Sequence, residues 1–214
     1  MMDAKELVSR LHWLGHDSFR LDGPPVIYFD PWKLKSGLPE ADLVLVSHEH
    51  ADHCSPDDVA KVSGPDTVVV TAAGAAEKLP GAKIVRPGDR LTVSGVEIEA
   101  VRAYNVNKFR SPGVPFHPRE AEHVGFVVTV GGARVYFAGD TDHIPEMADI
   151  ACDVALLPVS GTYVMTVEEG AEAARTLSPQ IVVPMHYGAG IGTAGDGQRF
   201  TELYKGEVSL LTVE

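Results

Sequence analysis

Leu43-Val44-Leu45-Val46-Ser47-His48-Glu49-His50-Ala51-Asp52-His53-Cys54-Ser55-Pro56 is the stretch on which the reading of this chain turns. Its first four residues are an unbroken apolar run, the pattern of a strand buried on both faces. Ser55-Pro56-Asp57-Asp58 is a helix start, with Ser as N-cap, Pro at the first helical position and acids in the first turn. Three histidines and an aspartate therefore crowd a strand-to-helix turn. Imidazole and carboxylate are the ligands of zinc and other borderline metals. Alternate side chains of such a turn point to neighbouring positions, so His48 and His50 suit one metal, and Asp52 and His53 a second.

Two other places end a strand in the same chemistry. Tyr136-Phe137-Ala138-Gly139-Asp140-Thr141 runs from an apolar strand into an acid, with Gly139 allowing close backbone approach. The run 181–183 leads through Pro184-Met185 to His186-Tyr187-Gly188. Each piece alone is weak, since an Asp after a strand is usually a turn former and a lone His usually structural. All three lie at strand C-terminal ends, so a single sheet edge is expected to unite them.

Working outward, residues 11–14, 26–29 and 68–70 also read as strands, and 91–101 reads as a hairpin around Gly95. Residues 75–79 read as a short helix. In the second half, 124–130 and 133–137 flank Gly131-Gly132, a hairpin signal. Runs 154–157 and 208–213 read as strands. Thr166-Val167-Glu168-Glu169 is a capping box opening a helix through Leu177. The segment 103–123, rich in Pro, Asn and Gly, has no periodicity and reads as a long functional loop. Two strand-rich halves with no linker predict one domain over 1–214, sheet packed on sheet with helices outside.

The 214 residues are 44% hydrophobic and 22% charged, the usage of a chain that folds around a core. A net charge of −12 argues against nucleic acid as a general partner. Two cysteines, Cys54 and Cys152, are too few for a disulfide scaffold. The first residues carry no signal-peptide pattern, and no apolar run spans a bilayer. The expectation is a cytoplasmic protein without membrane contact, acting on a small molecule, with a weak general lean to a homo-oligomer.

Taken together, His-x-His-x-Asp-His at 48–53, Gly-Asp-Thr at 139–141 and the later His186 resemble the metallo-β-lactamase superfamily over nearly the whole chain. Leu14-Gly15-His16-Asp17-Ser18-Phe19 and Phe29-Asp30-Pro31 are similar to its opening strands. The ordering is similar to the metal-dependent hydrolase branch that includes the L-ascorbate-6-phosphate lactonase relatives. The resemblance implies an α/β fold, a four-layer αββα sandwich of two mixed sheets. It implies His48 and His50 at a first metal, Asp52, His53 and His186 at a second, Asp140 bridging them, and Asp30 bracing the loop. Two Zn2+ ions per chain are expected, and Mn2+ or Fe2+ fits the same ligands.

One ligand departs from the pattern. The family usually has a histidine after the central hairpin, whereas this chain has Ala103-Tyr104-Asn105. His117, His123 and Asn105 are the candidates to complete the first set. His117 is favoured, because catalytic zinc usually keeps three protein ligands. Tyr187 is a candidate donor to a developing oxyanion, and Lys108, Arg110 and Arg119 are candidates to grip an anion. His16 reads equally as pocket-facing or structural.

The expected activity is hydrolysis of an ester, lactone or phosphoester bond by a metal-bound, bridging hydroxide, with Asp52 and Asp140 in the catalytic set. No Gly-x-Ser-x-Gly elbow is present, against a serine hydrolase. The alternatives are a metal-dependent phosphodiesterase or nuclease, a flavin-linked di-iron oxidoreductase, and a metal-retaining binding or sensing module.

Overall fold

The computed structural model describes residues 2–188 and 190–214. Two mixed sheets face each other. The first has the order β1 (Leu11–Gly15), β2 (Ser18–Leu21), β3 (Ile27–Phe29), β4 (Ala41–Val46), β5 (Ser63–Ala72) and β6 (Lys83–Val85). Its β1–β2–β3 portion is antiparallel and its β3–β4–β5–β6 portion parallel.

The second sheet is built from β7 (Arg90–Val93), β8 (Val96–Arg102), β11 (Val124–Val130), β12 (Ala133–Phe137), β13 (Val154–Pro158), β14 (Ile181–Met185) and β15 (Glu207–Val208). Their order is β15-β14-β13-β12-β11-β8-β7. A separate hairpin, β9 (Phe109–Ser111) with β10 (Val114–Pro115), stands apart from both sheets.

The apolar run of β4 is buried on both sides, as its composition demands. Leu43 and Leu45 enter the core between the sheets, while Val44 and Val46 point to the opposite face. There they meet Val59 and Val62 of α2 (Pro56–Val62). Between the sheets an aromatic seam forms, with Phe29 and Phe137 at 5.1 Å and Phe19 and Phe137 at 6.5 Å between ring centroids. Each fully buried side chain of this size contributes about 1.5–3 kcal/mol. On the far side, α3 (Val167–Leu177) packs on β13 and α4 (Asp196–Leu203) on β14, which completes the αββα layering.

Local signals fixed several boundaries closely. Ser55 accepts from Asp58 N, and both halves of the Thr166/Glu169 capping box are formed. The Gly131-Gly132 hairpin pairs Val130 with Ala133. Residues 73–78 form a 3-10 turn where a short helix was expected at 75–79.

Other expectations need correction. The final strand, expected over 208–213, spans only Glu207–Val208, after which the chain crosses to the first sheet. There Val213 bridges Trp13. Segment 103–123 is not one loop, because β9–β10 and a 3-10 turn at Arg119–Ala121 lie inside it. Helices α1 (Ala4–Ser9) and α4 and strands β2 and β6 carried too little periodicity to be assigned. Among the described residues no helix is long and apolar enough to cross a membrane.

Asp58 ties α2 to the β3–β4 connection. Its carboxylate accepts from Lys33 N at 2.8 Å, Leu34 N at 3.0 Å, Ser55 Oγ at 2.7 Å and Lys61 Nζ at 2.7 Å. Burial opposes the charge, but these donors hold the carboxyl below its usual range. A depressed folded-state value stabilises above the unfolded carboxylate pKa, about 3.9, and the gain is lost as pH falls through the folded value. Asp58→Ala is expected to cost about 2–3 kcal/mol at pH 7. In urea melts at a series of pH values, the gap to wild type should close below about pH 4. A gap that stays constant with pH would refute the charge argument.

Candidate metal centre

The site forms where strand ends of the two sheets meet, not along a single sheet edge as the sequence suggested. The His48–His53 loop follows β4 of the first sheet, while Asp140 follows β12 and His186 follows β14 of the second. Gly139 makes the approach feasible. With φ +61°, it faces Ser47 so closely that an added Cβ would lie 3.1 Å from Ser47 Cβ. Asp30, His186 and His16 are non-glycine residues with φ of 39°, 58° and 53°. Backbone strain of this kind gathers at sites where side-chain placement matters more than local energy.

Asp30, fully buried, organises the loop. It accepts from Ser47 N at 2.7 Å, Ser47 Oγ at 2.5 Å and His53 Nδ1 at 2.8 Å. The rings of His48, His186 and His117 are held in the same manner. His48 Nδ1 lies 2.9 Å from Ser47 Oγ, His186 Nδ1 lies 2.9 Å from Ser160 Oγ, and His117 Nδ1 lies 2.9 Å from Asn105 Oδ1. With each outer nitrogen donating, the neutral form of each ring leaves the Nε2 lone pair turned to the centre.

The inner atoms form two groups that share Asp140. In the first, His50 Nδ1 lies 3.1 Å from His48 Nε2 and 3.2 Å from His117 Nε2, and Asp140 Oδ2 lies 3.1 Å from His117 Nε2. In the second, Asp140 Oδ1 lies 3.4 Å from His53 Nε2 and 3.3 Å from His186 Nε2. His53 Nε2, His186 Nε2 and Asp140 Oδ1 have no hydrogen-bond partner. Buried lone pairs facing one another repel unless a cation lies between them. The residues present therefore fit a metal ion in each group.

Asp140 and the imidazoles around it also set one another's charge. Burial holds His48 well below its usual range, so it is a neutral imidazole. Burial opposes ionisation of Asp140, yet His53, His186 and His117 hold its carboxyl well below the usual range. Burial likewise opposes charge on His53, but Asp140 and Asp30 carry it well above its own.

The structure separates the three candidates for the missing first ligand. His117 reaches the centre. Asn105, in the place where the family carries histidine, accepts from both His117 N and Nδ1 through Oδ1. His123 stands behind, stacked on His48 at 4.8 Å, with Nε2 hydrogen-bonded to Glu49 Oε1 at 3.3 Å. That bond draws the Glu49 carboxyl down to about 2. Replacing Asn105 by Leu removes the acceptor that orients His117. Zinc affinity by calorimetry is expected to fall about 10–100-fold, and an unchanged affinity would dismiss the buttress.

A cleft of about 360 Å³ opens over the first group. It is lined by His50, Asp52, His117 and Asp140, with Arg110, Phe116 and Tyr163 as its outer wall. Asp52 lies at this mouth, partly exposed, with Oδ2 3.3 Å from His16 Nε2. Burial opposes its charge, but His16 and His53 hold the carboxyl below the usual range.

Tyr187 is not brought to the cleft. Its ring packs on Trp13 at 5.0 Å, and its hydroxyl abuts Gly197, so the expected oxyanion role has no geometric basis. Lys108 pairs with Glu169 at 2.6 Å and Arg119 with Glu146 at 2.8 Å, which leaves Arg110 as the cation on the cleft wall. His12 pairs with Asp22 and Glu214, and His143 with Thr176. Cys54 is buried, and burial pushes its thiol up.

Sequence reasoning missed Asp17. It is fully buried, both carboxylate oxygens lack hydrogen-bond partners, and burial raises it to about 6. An Asp in a tight turn carries no signal beyond turn formation.

A sandwich of two mixed sheets whose strand ends gather histidines around one shared aspartate defines the metal-binding class of αββα proteins. Residues 10–186 match the beta-lactamase superfamily domain, and the chain belongs to that superfamily. It is 39% identical over 185 residues to a UPF0173 metal-dependent hydrolase of Methanoculleus marisnigri, covering 83% of this chain and 80% of the relative. Another such hydrolase, from Thermoplasma acidophilum, is 31% identical over 212 residues, 91% of this chain and 90% of the relative. The crystal structure of a proposed metal-dependent hydrolase from Parabacteroides distasonis superposes with TM-score 0.85 at 35% identity. That match covers 95% of this chain and 93% of the other.

Proposed function

We propose that this protein is a hydrolase with two metal positions that cleaves an ester, lactone or phosphoester bond of a small anionic substrate. The observation that carries the reading is the convergence of inner imidazole nitrogens, their outer nitrogens all held, on the two oxygens of Asp140. His48, His50, His117 and Asp140 would hold one ion, and Asp52, His53, His186 and Asp140 the other. Zn2+ suits these donors, as do Mn2+ and Fe2+. Such ions supply Lewis acidity and make water acidic enough to serve as a nucleophile near neutral pH. The relatives named as metal-dependent hydrolases agree with this chemistry.

The chain's own residues do the rest. Arg110 donates to Phe116 O at 3.2 Å, and its guanidinium lies 5.7 Å from the centre of the Phe116 ring, which places a positive charge at the cleft wall. It would bind the substrate's anionic group. Phe116 and Tyr163, edge to face at 4.6 Å, form an apolar wall that excludes water from the bound substrate. Asp52, held in its charged form by His16 and His53, would accept a hydrogen bond at the cleft mouth. A net charge of −12 disfavours a nucleic-acid substrate.

The test is metal content of protein purified without chelator, with hydrolysis of bis(4-nitrophenyl) phosphate, a γ-lactone and 4-nitrophenyl acetate before and after chelation. About two ions per chain, with turnover lost on chelation and restored by metal, is the expected result. Arg110→Ala should raise KM for the anionic substrate about tenfold or more and leave the neutral ones unchanged. Turnover that survives complete metal removal would overturn the proposal.

A further inference from the structure

We propose that His16, contributed by the β1–β2 turn, is a direct donor to the second metal position, beside His53, His186 and Asp140. This rests on the two-position reading and adds a ligand outside the His48–His53 loop.

The geometry is specific. His16, His53 and His186, all buried, each bring a ring nitrogen within 4.8 Å of the other two, and the Nε2 of each has no hydrogen-bond partner. Donors around one zinc at bond lengths of about 2.0–2.1 Å stand about 3.4 Å apart in a tetrahedron, a spacing that the 4.8 Å bound on this group admits. The His16 and His186 rings lie 4.2 Å apart.

The turn is built to hold that ring in place. The carbonyl of His16 accepts from the Trp13 indole at 2.8 Å and from His186 N at 3.3 Å, tying the turn to the strand end that carries His186. His16 occupies this turn at φ +53°, where Gly or Asn would be less strained. The next residue, Asp17, adds a buried carboxylate without hydrogen-bond partners, grouped with Asp140 and His186. Two buried carboxylates so near each other are relieved by a dication between them.

Asp52, 3.3 Å from His16 Nε2, offers the rival account, in which His16 only positions Asp52. A double-mutant cycle separates the two. Zinc binding to metal-free protein is followed by calorimetry for wild type, His16→Asn, Asp52→Ala and the double variant. Retained zinc is measured after dialysis. Asn tolerates the left-handed backbone, and His16→Gly serves as a second variant that removes all strain at that φ.

The expected result is that His16→Asn binds one ion as wild type does and the other about 100-fold more weakly or worse, since even outer partners of metal ligands cost 10–100-fold. The same loss should appear in the Asp52→Ala background. Wild-type affinity at both positions in both His16 variants would overturn the proposal, as would a loss that vanishes once Asp52 is removed. Wild-type protein that takes up no zinc would fail the two-position reading itself. Normal zinc loading of wild type with unaffected His16 variants would fail only the inference about His16.

Discussion

Asp140→Asn is expected to remain folded, to retain fewer metal ions than wild type, and to lose at least about 10³-fold in turnover of any substrate the wild type hydrolyses. The reason is the double engagement of this side chain. Oδ2 faces His117 Nε2 at 3.1 Å, and Oδ1 faces His53 Nε2 and His186 Nε2 at 3.4 and 3.3 Å. Asn keeps the shape but puts an amide N–H where a carboxylate oxygen stood, and it removes the negative charge that both groups share. Metal content, circular dichroism and turnover measured on one preparation decide the matter. A variant that keeps full metal and activity would show that Asp140 is not the bridge between the two groups.

The second large effect is on stability as well as on metal. Asp30→Ala removes the acceptor of three buried hydrogen bonds, from Ser47 N, Ser47 Oγ and His53 Nδ1. Each buried donor left unpaired costs about 1–3 kcal/mol, so a loss of roughly 3–5 kcal/mol is expected. For a chain of this size that corresponds to about 10 °C or more in Tm. Released from Asp30, His53 also loses the bond that fixes its tautomer, and zinc affinity should fall about 10–100-fold. Asp30→Asn, which keeps one acceptor, should fall between the two. Urea melts of the metal-free proteins separate the stability effect from the metal effect. Metal-free Asp30→Ala as stable as wild type would contradict the account of the loop.

The legible parts of the fold are those written in local chemistry. The Thr166/Glu169 capping box, the Ser55-Pro56 helix start and the Gly131-Gly132 hairpin are each encoded within a few residues, because cap and turn bonds join near neighbours. Helix α4 follows a glycine-rich stretch and has no side-chain cap, so no local signal announces it. Beyond Val208 the apolar residues are divided between two sheets, with Ser209 N bonded to Val182 O and Glu214 N to Trp13 O. A continuous strand reading could not anticipate that division.

For the site, the sequence by itself determined the candidate ligand types and their place at strand ends, since His48, His50, His53, Asp140 and His186 all follow apolar runs that read as buried strands. Tertiary structure alone decided which imidazoles meet. It put His117 at the centre and His123 behind it, turned Asn105 from a candidate ligand into the support for His117, and withdrew Tyr187 against Trp13. It also brought His16 and Asp17, from a turn of the first sheet, against Asp140 and His186 of the second. Periodicity and capping act between neighbours along the chain. The meeting of two sheets across a shared core is set by packing between residues far apart in sequence, which one sequence does not spell out.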